Sequence, residues 1–176
     1  MSERRPGERH RRAREFEEFV AGAAGRLLHA ATLLTGEPPA ANPAARALVT
    51  DSLAHTYAAW DRPRGGDPYD HARRELALRF LRAARRHRRD RGGLLGRLTP
   101  RERLVLVLRL SEGVAEEQTG ALLDLRTERV RDICGRAVAT LCPPLPPLPE
   151  AGTATESRTV PEATAAPWAI STTAAS

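Results

Sequence analysis

The chain has 176 residues, of which 41% are hydrophobic and only 4% aromatic, and its net charge is +6. This length fits one or two small domains. The scarcity of aromatic residues favours helical bundles with cores of Leu, Val and Ala over a sheet sandwich. All basic residues other than histidine are arginine, and an excess of clustered arginine is typical of proteins that bind nucleic acid.

Cysteine content and hydropathy indicate in which cellular compartment we expect the protein. Cys134 and Cys142 fit no common zinc spacing and are too few for a disulfide framework, so we expect reduced thiols in a cytoplasmic protein. No apolar run approaches the roughly 20 residues needed to cross a bilayer. Residues 1–14 are basic but lead into no uninterrupted apolar stretch, so we expect neither a signal peptide nor membrane insertion.

The N-terminal half predicts three helices. Residues 1–12 are polar and Arg-rich, and we expect them to be disordered. Apolar residues then recur at steps of three and four from about 13 to 34, which predicts the first helix. Asn42-Pro43 and Asp67-Pro68 each place a capping side chain before a proline at the first helical position, and so predict the starts of two more helices. We assign residues 13–91 to a three-helix bundle.

The C-terminal half predicts three shorter helices after a linker at 92–97. Thr99-Pro100-Arg101-Glu102 has the pattern of a capping box, and we expect this helix to end at Gly113. A short helix at about 115–123, a turn at 124–126 and a last helix at about 127–141 follow. Residues 143–176 are rich in Pro, Ala and Thr and are expected to be a disordered tail. The predicted fold is therefore all-α, with two small helical domains at 13–91 and 98–142.

Two short helices joined by a tight turn are typical of a helix-turn-helix, whose second helix fits the major groove of DNA. Burial of one face of the 127–141 helix would leave an arginine-bearing face outside, and arginine pairs bidentately with guanine. The third helix of the first half has a second cationic face. The predicted DNA-binding residues are Thr127, Arg126, Arg129, Arg131, Arg136, Arg73, Arg74 and Arg82.

Enzymatic chemistry has no support in the sequence. None of the five histidines lies in a metal-binding or nucleophile-activating pattern. The glycine pairs at 65–66 and 92–93 have the pattern of turns rather than of phosphate-binding loops. We expect no catalytic residue, no metal site and no cofactor.

Residues 98–141 resemble the last conserved region of extracytoplasmic-function (ECF) sigma factors, and the Leu98-Thr99-Pro100 opening also resembles LuxR-type helix-turn-helix proteins. The upstream half favours the sigma factor. Leu48, Asp51, Tyr57 and Trp60 have the spacing of the sigma segment that docks on RNA polymerase. Asp67-Pro68 before an Arg-rich helix resembles the segment that meets the downstream promoter element. The similarity is greatest to the actinobacterial SigE-like branch.

The resemblance implies promoter DNA and core RNA polymerase as partners, with an anti-sigma factor as a further one. It implies that Leu48, Asp51, Tyr57 and Trp60 bind polymerase. Three positions, occupied by His71, Leu78 and Arg82, depart from the residues with which the family captures flipped promoter bases. Two alternatives therefore remain: a sigma-derived or LuxR-like DNA-binding regulator that does not open promoters, and a protein-interaction decoy or antagonist of polymerase.

Overall fold

The computed structural model describes residues 6–60, 66–87 and 93–142, and within these ranges all regular structure is helical. This confirms the all-α prediction. Six α-helices follow one another in these described ranges, with a short 3₁₀ helix after the third and a π-helical turn after the fourth. They are α1 (Pro6–Thr35), α2 (Pro43–Ala58), α3 (Pro68–Arg82), the 3₁₀ helix (Ala84–His87), α4 (Pro100–Leu106), the π-helical turn (Val107–Ser111), α5 (Glu116–Leu123) and α6 (Thr127–Leu141).

Helix α1 begins at Pro6, so the structure differs from the sequence prediction in residues 6–12, which are helical. Proline is favoured at a first helical position because the N–H that it lacks would have no partner there. The helix ends at Thr35, and Gly36 follows it with a φ of +69°, the left-handed conformation typical of the residue after a helix C-terminus. The buried side of α1 includes Leu27 and Leu34, as the steps of three and four predict.

The start of α2 is capped by a residue that the sequence analysis did not select. Asn42 has the predicted N-cap position but makes no side-chain cap; its amide instead donates to the Thr32 hydroxyl at 2.9 Å. The buried carboxylate of Glu37 accepts from the backbone N–H groups of Ala44 and Ala45, at 3.3 and 2.9 Å. This places a negative charge at the positive end of the α2 dipole.

Helix α3 begins as predicted, because the Asp67 carboxylate accepts from the Tyr69 N–H at 2.9 Å and Pro68 follows it. It ends at Arg82, earlier than the arginine run suggests, and the chain continues as the 3₁₀ helix. Residues 88–92 lie outside the described ranges, as do residues 1–5, 61–65 and the predicted tail at 143–176.

One hydrophobic core runs through both predicted halves. Leu27 and Phe80 from the first half belong to the same buried cluster as Leu104, Val105 and Val130 from the second. All the described residues belong to one compact unit. The division into separate domains at 13–91 and 98–142 stays a prediction.

The segment predicted as a linker is packed at some of its described positions and exposed at others, such as Leu94. Leu95 is buried, and a side chain at Gly93 would meet the Gly36 carbonyl oxygen at 2.8 Å. Gly93 is therefore needed for the close approach of this segment to the end of α1. In the described part of the chain, no helix is both long enough and apolar enough to span a membrane.

Candidate nucleic-acid interface

Helix α4 packs against α6 of the helix-turn-helix and starts with the predicted capping box. The Thr99 hydroxyl accepts from the Glu102 N–H at 3.3 Å, and the Glu102 carboxylate accepts from the Thr99 N–H at 2.9 Å. All residues from Arg103 to Leu108 are buried, so this segment is surrounded by protein on every side. The predicted single helix ending at Gly113 is instead α-helical only to Leu106, and its last turn is π-helical.

The turn between α5 and α6 depends on two unusual backbone positions. A Cβ atom at Gly120 would lie 2.6 Å from the Leu125 carbonyl oxygen, so only glycine fits where the turn crosses α5. Asp124 has a φ of +53°, a left-handed conformation that Asp and Asn tolerate better than most residues. The Leu125 N–H donates to the Gly120 carbonyl at 2.9 Å and closes the turn.

Helix α6 covers exactly the predicted residues and turns one face inward. Val130, Ile133 and Ala137 are buried against the rest of the motif, since α6 packs on both α4 and α5. The opposite face is exposed. Its charged members are Glu128, Arg129, Arg131, Asp132 and Arg136.

The structure thus brings the predicted α6 residues together on one side of the motif. Arg129, Arg131 and Arg136 are exposed on α6, and Arg126 is exposed at its N-cap position; Thr127 is half-buried in the first turn. The first turn of a helix presents backbone N–H groups without intrahelical partners, which suit phosphate oxygens. This face can donate hydrogen bonds both to base edges and to phosphates.

A network of charged groups connects α6 to the start of α5. The Arg131 guanidinium donates to the Glu116 carboxylate at 2.8 Å, and this contact raises the pKa of Arg131. The same carboxylate lies 3.7 Å from the Arg109 guanidinium, which also donates to the Val114 carbonyl. Glu116 therefore orients Arg131 and reduces the positive potential of the interface.

The three α3 arginines do not form one surface. Arg73 is mostly covered, with 16% of its side chain exposed, and it pairs with Asp70 at 2.9 Å. Arg74 is exposed, and both Arg73 and Arg74 line a cleft of about 410 Å³ together with Gln118 of α5. Arg82 lines a different groove, between α2 and the 3₁₀ helix.

The predicted polymerase-binding residues also separate into two places. Asp51 is exposed and Leu48 is nearly buried, and both line the groove that contains Arg82. Tyr57 and Trp60 are half-buried in an aromatic cluster with Phe16 of α1, with ring centroids 4.8 and 5.0 Å from that ring. These ring contacts pack Tyr57 and Trp60 at the α1–α2 interface, and their role in polymerase binding stays a prediction.

Sequence analysis missed the residues that connect the two halves. Arg103 is fully buried, and its guanidinium donates to the carbonyl oxygens of Leu98, Leu34 and His87 at 3.0, 3.1 and 2.8 Å. Glu112, taken as part of a helix end, accepts from the Tyr69 hydroxyl at 2.9 Å. The uninterrupted apolar run at 104–108 was the available signal that this segment is buried on all sides.

No curated protein and no solved structure matches the chain. The family model described as Sigma-70, region 4 matches residues 94–141, the segment from the packed linker to the end of α6. That family is a DNA-binding one rather than an enzyme family. Residues 94–141 are therefore similar to Sigma-70 region 4, a DNA-binding helix-turn-helix region of sigma factors.

Proposed function

We propose that the protein is a sigma-like transcription initiation factor of the ECF type, which binds core RNA polymerase and recognises promoter DNA through α6. The observation that carries the proposal is the open arginine face of α6 on a segment that matches Sigma-70 region 4. Arg129 and Arg131 are the candidates for base contacts, and Arg136 is the candidate for a phosphate contact.

The arginines of this face favour DNA binding, and its carboxylates limit nonspecific attraction to phosphates. Glu128 and Asp132 lie among the arginines, and Glu116 pairs with Arg131. Carboxylates in a DNA interface weaken purely electrostatic binding, so more of the affinity must come from correctly placed contacts. We therefore expect sequence-selective binding with a moderate salt dependence.

A gel shift across a salt series tests DNA recognition, with duplexes selected from a random pool as the probe. A selective shift that weakens as salt rises is the expected result. Equal binding of the selected and scrambled duplexes would contradict sequence recognition by α6.

Polymerase binding is proposed from the resemblance of residues 48–60 to the docking segment and from the exposure of Asp51. Pull-down of the full chain with core polymerase tests it. Asp51→Arg should abolish capture, whereas Thr50→Arg, at the exposed neighbouring position, should leave it unchanged. Absence of capture of the unaltered chain at low salt would contradict the sigma-factor proposal.

A second candidate, a DNA-binding regulator that does not open promoters, is favoured by the arrangement around α3. Arg73 is paired with carboxylates and Arg74 faces a cleft shared with α5, so this part of α3 offers little to a separate promoter element. In-vitro transcription separates the two functions. Specific run-off transcripts from a selected promoter support the sigma factor, and DNA binding without transcripts supports the regulator.

A further inference from the structure

A groove between α2 and the 3₁₀ helix is lined by four arginine side chains. Its volume is about 580 Å³. Arg79 and Arg82 belong to the last turn of α3, and Arg85 and Arg86 belong to the 3₁₀ helix. Asp51 of α2 is the only acidic residue among the described residues that line the groove. We call the groove lined by these five residues the arginine groove.

The four arginines share the lack of a counter-ion among the described residues. No hydrogen bond or ion pair engages their guanidinium groups in that part of the chain, and Asp51 pairs with none of them. The Nε atom of Arg79 is moreover buried without a hydrogen-bond partner there. By contrast, the guanidinium of Arg131 on α6 is paired with Glu116.

Buried contacts fix the wall that carries Arg85 and Arg86. His87 ends the 3₁₀ helix, and its ring stacks on that of Phe80 with the centroids 5.2 Å apart. The carbonyl oxygen of His87 accepts from the buried guanidinium of Arg103 at 2.8 Å. The groove is therefore part of the packed fold, and no helix has to move for a ligand to reach it.

The charge of the groove favours an anionic ligand. Like charges gathered in one place repel each other, and a single carboxylate offsets only part of this repulsion. The negative end of the α3 dipole favours cations at Arg79 and Arg82, whereas Arg85 and Arg86 lie beyond that helix. Guanidinium groups suit phosphate in particular, because their planar fork donates two parallel hydrogen bonds to its oxygens.

The shape of the groove favours a compact ligand with linked phosphate groups over a nucleic acid strand. Its volume of about 580 Å³ lies within the range of small-molecule sites, roughly 300–1,000 Å³. A DNA strand carries one negative charge for roughly every 3.4 Å of helix axis, so it would bring few charges into one groove. Linked phosphates concentrate more charge in the same length. The small side chains of Ala44, Ala47 and Ala83 also line the groove and leave room beside the arginines.

We propose that the arginine groove binds a small ligand with two or more linked phosphate groups. The inference goes beyond the proposed function, which assigns no small-molecule ligand. Leu48 lines the same groove as Asp51, and both are predicted to bind polymerase. Ligand and polymerase should therefore compete for this surface.

Calorimetric titration of the full chain with inorganic triphosphate tests the site. The buffer is free of magnesium and holds about 0.15 M salt, at which attraction beyond roughly 8 Å is screened. One equivalent should bind to the parent. The groove variant Arg82→Gln/Arg86→Gln, which removes two exposed arginines, should bind at least about tenfold more weakly, since each charged hydrogen bond lost is worth that much.

The matched control is Arg97→Gln/Arg101→Gln, which removes two exposed arginines near the start of α4, outside the groove. It should bind triphosphate like the parent. Equal losses in the groove variant and the control would overturn the proposal, as would absence of binding to the folded parent.

Two further probes identify the chemistry of the ligand. Citrate, a compact tricarboxylate, should bind the parent more weakly than triphosphate does. Single-stranded oligothymidylate should bind the parent and the groove variant equally. Citrate binding as tight as that of triphosphate would reduce the groove to an unselective anion site, and a loss of oligothymidylate binding in the groove variant would assign it to nucleic acid; either result overturns the proposal.

Thermal denaturation gives a readout that does not depend on calorimetry. Without ligand, the groove variant should melt at or above the temperature of the parent, because repulsion is relieved. Triphosphate should raise the melting temperature of the parent and of the Arg97→Gln/Arg101→Gln control, but not that of the groove variant. A groove variant that melts below the parent without ligand would mean that these arginines stabilise the fold, and would contradict the proposal.

Competition with polymerase rests on the proposed function and is tested by pull-down with core polymerase. Triphosphate should reduce capture of the parent, at concentrations that saturate the groove in calorimetry. Unchanged capture at saturation would refute the competition. If core polymerase does not capture the parent even without triphosphate, the proposed function fails while calorimetric binding to the groove stands.

Discussion

Arg131 of α6 and Glu116 of α5 form a 2.8 Å hydrogen-bonded ion pair across the open face of the helix-turn-helix. About two thirds of the Arg131 side chain remains exposed, against about one fifth of Glu116. Glu116, which is the less exposed of the two, thus fixes the orientation of the Arg131 guanidinium, while most of the Arg131 side chain stays accessible. Such an arrangement orders an arginine before it meets a ligand and lowers the entropy lost on binding.

Arg131→Ala should weaken binding to the selected duplex by roughly 5- to 150-fold, the range expected for loss of one base contact. The melting temperature should stay unchanged, since ion pairs at exposed positions contribute little to stability. Binding is measured by fluorescence anisotropy at fixed salt. Arg101→Ala, at an exposed position in the first turn of α4, is the control and should bind like the parent; an equal loss in both variants would show that the effect is nonspecific.

Much of the fold could be predicted from local signals. The capping box at Thr99, the Asp67-Pro68 start and the limits of α6 depend on a few neighbouring residues, so the sequence pattern identified them. Arg103 could not be placed in this way. Its guanidinium binds carbonyl groups from α1 and from the 3₁₀ helix, far away in the sequence, and an arginine beside exposed Arg101 looks like a surface residue.

In the candidate site, too, local features could be predicted from the sequence and contacts between distant residues could not. Helical periodicity predicts which face of α6 is buried, and therefore which arginines are exposed on it. It cannot predict that Arg73 is bound to Glu112 from the other half of the chain, because that contact depends on how the halves pack. Nor does it show that Glu37, rather than Asn42, caps α2, since the chain must first fold back at 38–41.

Arg103→Met should lower the free energy of unfolding by about 3 kcal/mol or more, because it leaves the Leu34 and His87 carbonyl groups buried without their charged donor. Arg103→Lys should be almost as harmful, since an ammonium group lacks the planar, forked geometry that reaches several carbonyls at once. Urea denaturation measures both. Arg101→Met should stay within about 0.5 kcal/mol of the parent; a similarly small change at position 103 would contradict the bridging role.

Gly120→Ala should destabilise the protein by more than about 1 kcal/mol, because the added methyl group would collide with the Leu125 carbonyl oxygen and displace the turn before α6. Gly135 offers the opposite case within α6. Nothing lies within 4 Å of a Cβ atom there, so Gly135→Ala should stabilise by roughly 0.5–1 kcal/mol through helix propensity. Denaturation curves for the two variants should move in opposite directions, and a shift in the same direction would contradict this account of the turn.

Stability should fall at alkaline pH through Tyr69. Burial, followed by the hydrogen bond to Glu112, raises the pKa of Tyr69 well above its ordinary value of 10.0. Because the folded-state pKa is the higher one, the unfolded chain loses this proton first, and the stabilising contribution is complete below pH 10 and declines above it. Tyr69→Phe should therefore lose less stability than the parent between pH 9 and about 11, in matched urea titrations. Parallel pH profiles for the two proteins would show that the hydroxyl is not protected in the fold.

Thr119 is fully buried beneath the turn, and its hydroxyl oxygen has no hydrogen-bond partner among the described residues. Thr119→Val replaces that hydroxyl with a methyl group of similar size and removes the cost of burying a polar atom. The variant should gain roughly 1 kcal/mol of unfolding free energy. Thr119→Ser keeps the hydroxyl and deletes the methyl group, so it should instead lose stability. Thermal and urea denaturation of the pair separate polarity from volume at one position, and a loss in Thr119→Val would mean that the hydroxyl is satisfied in solution.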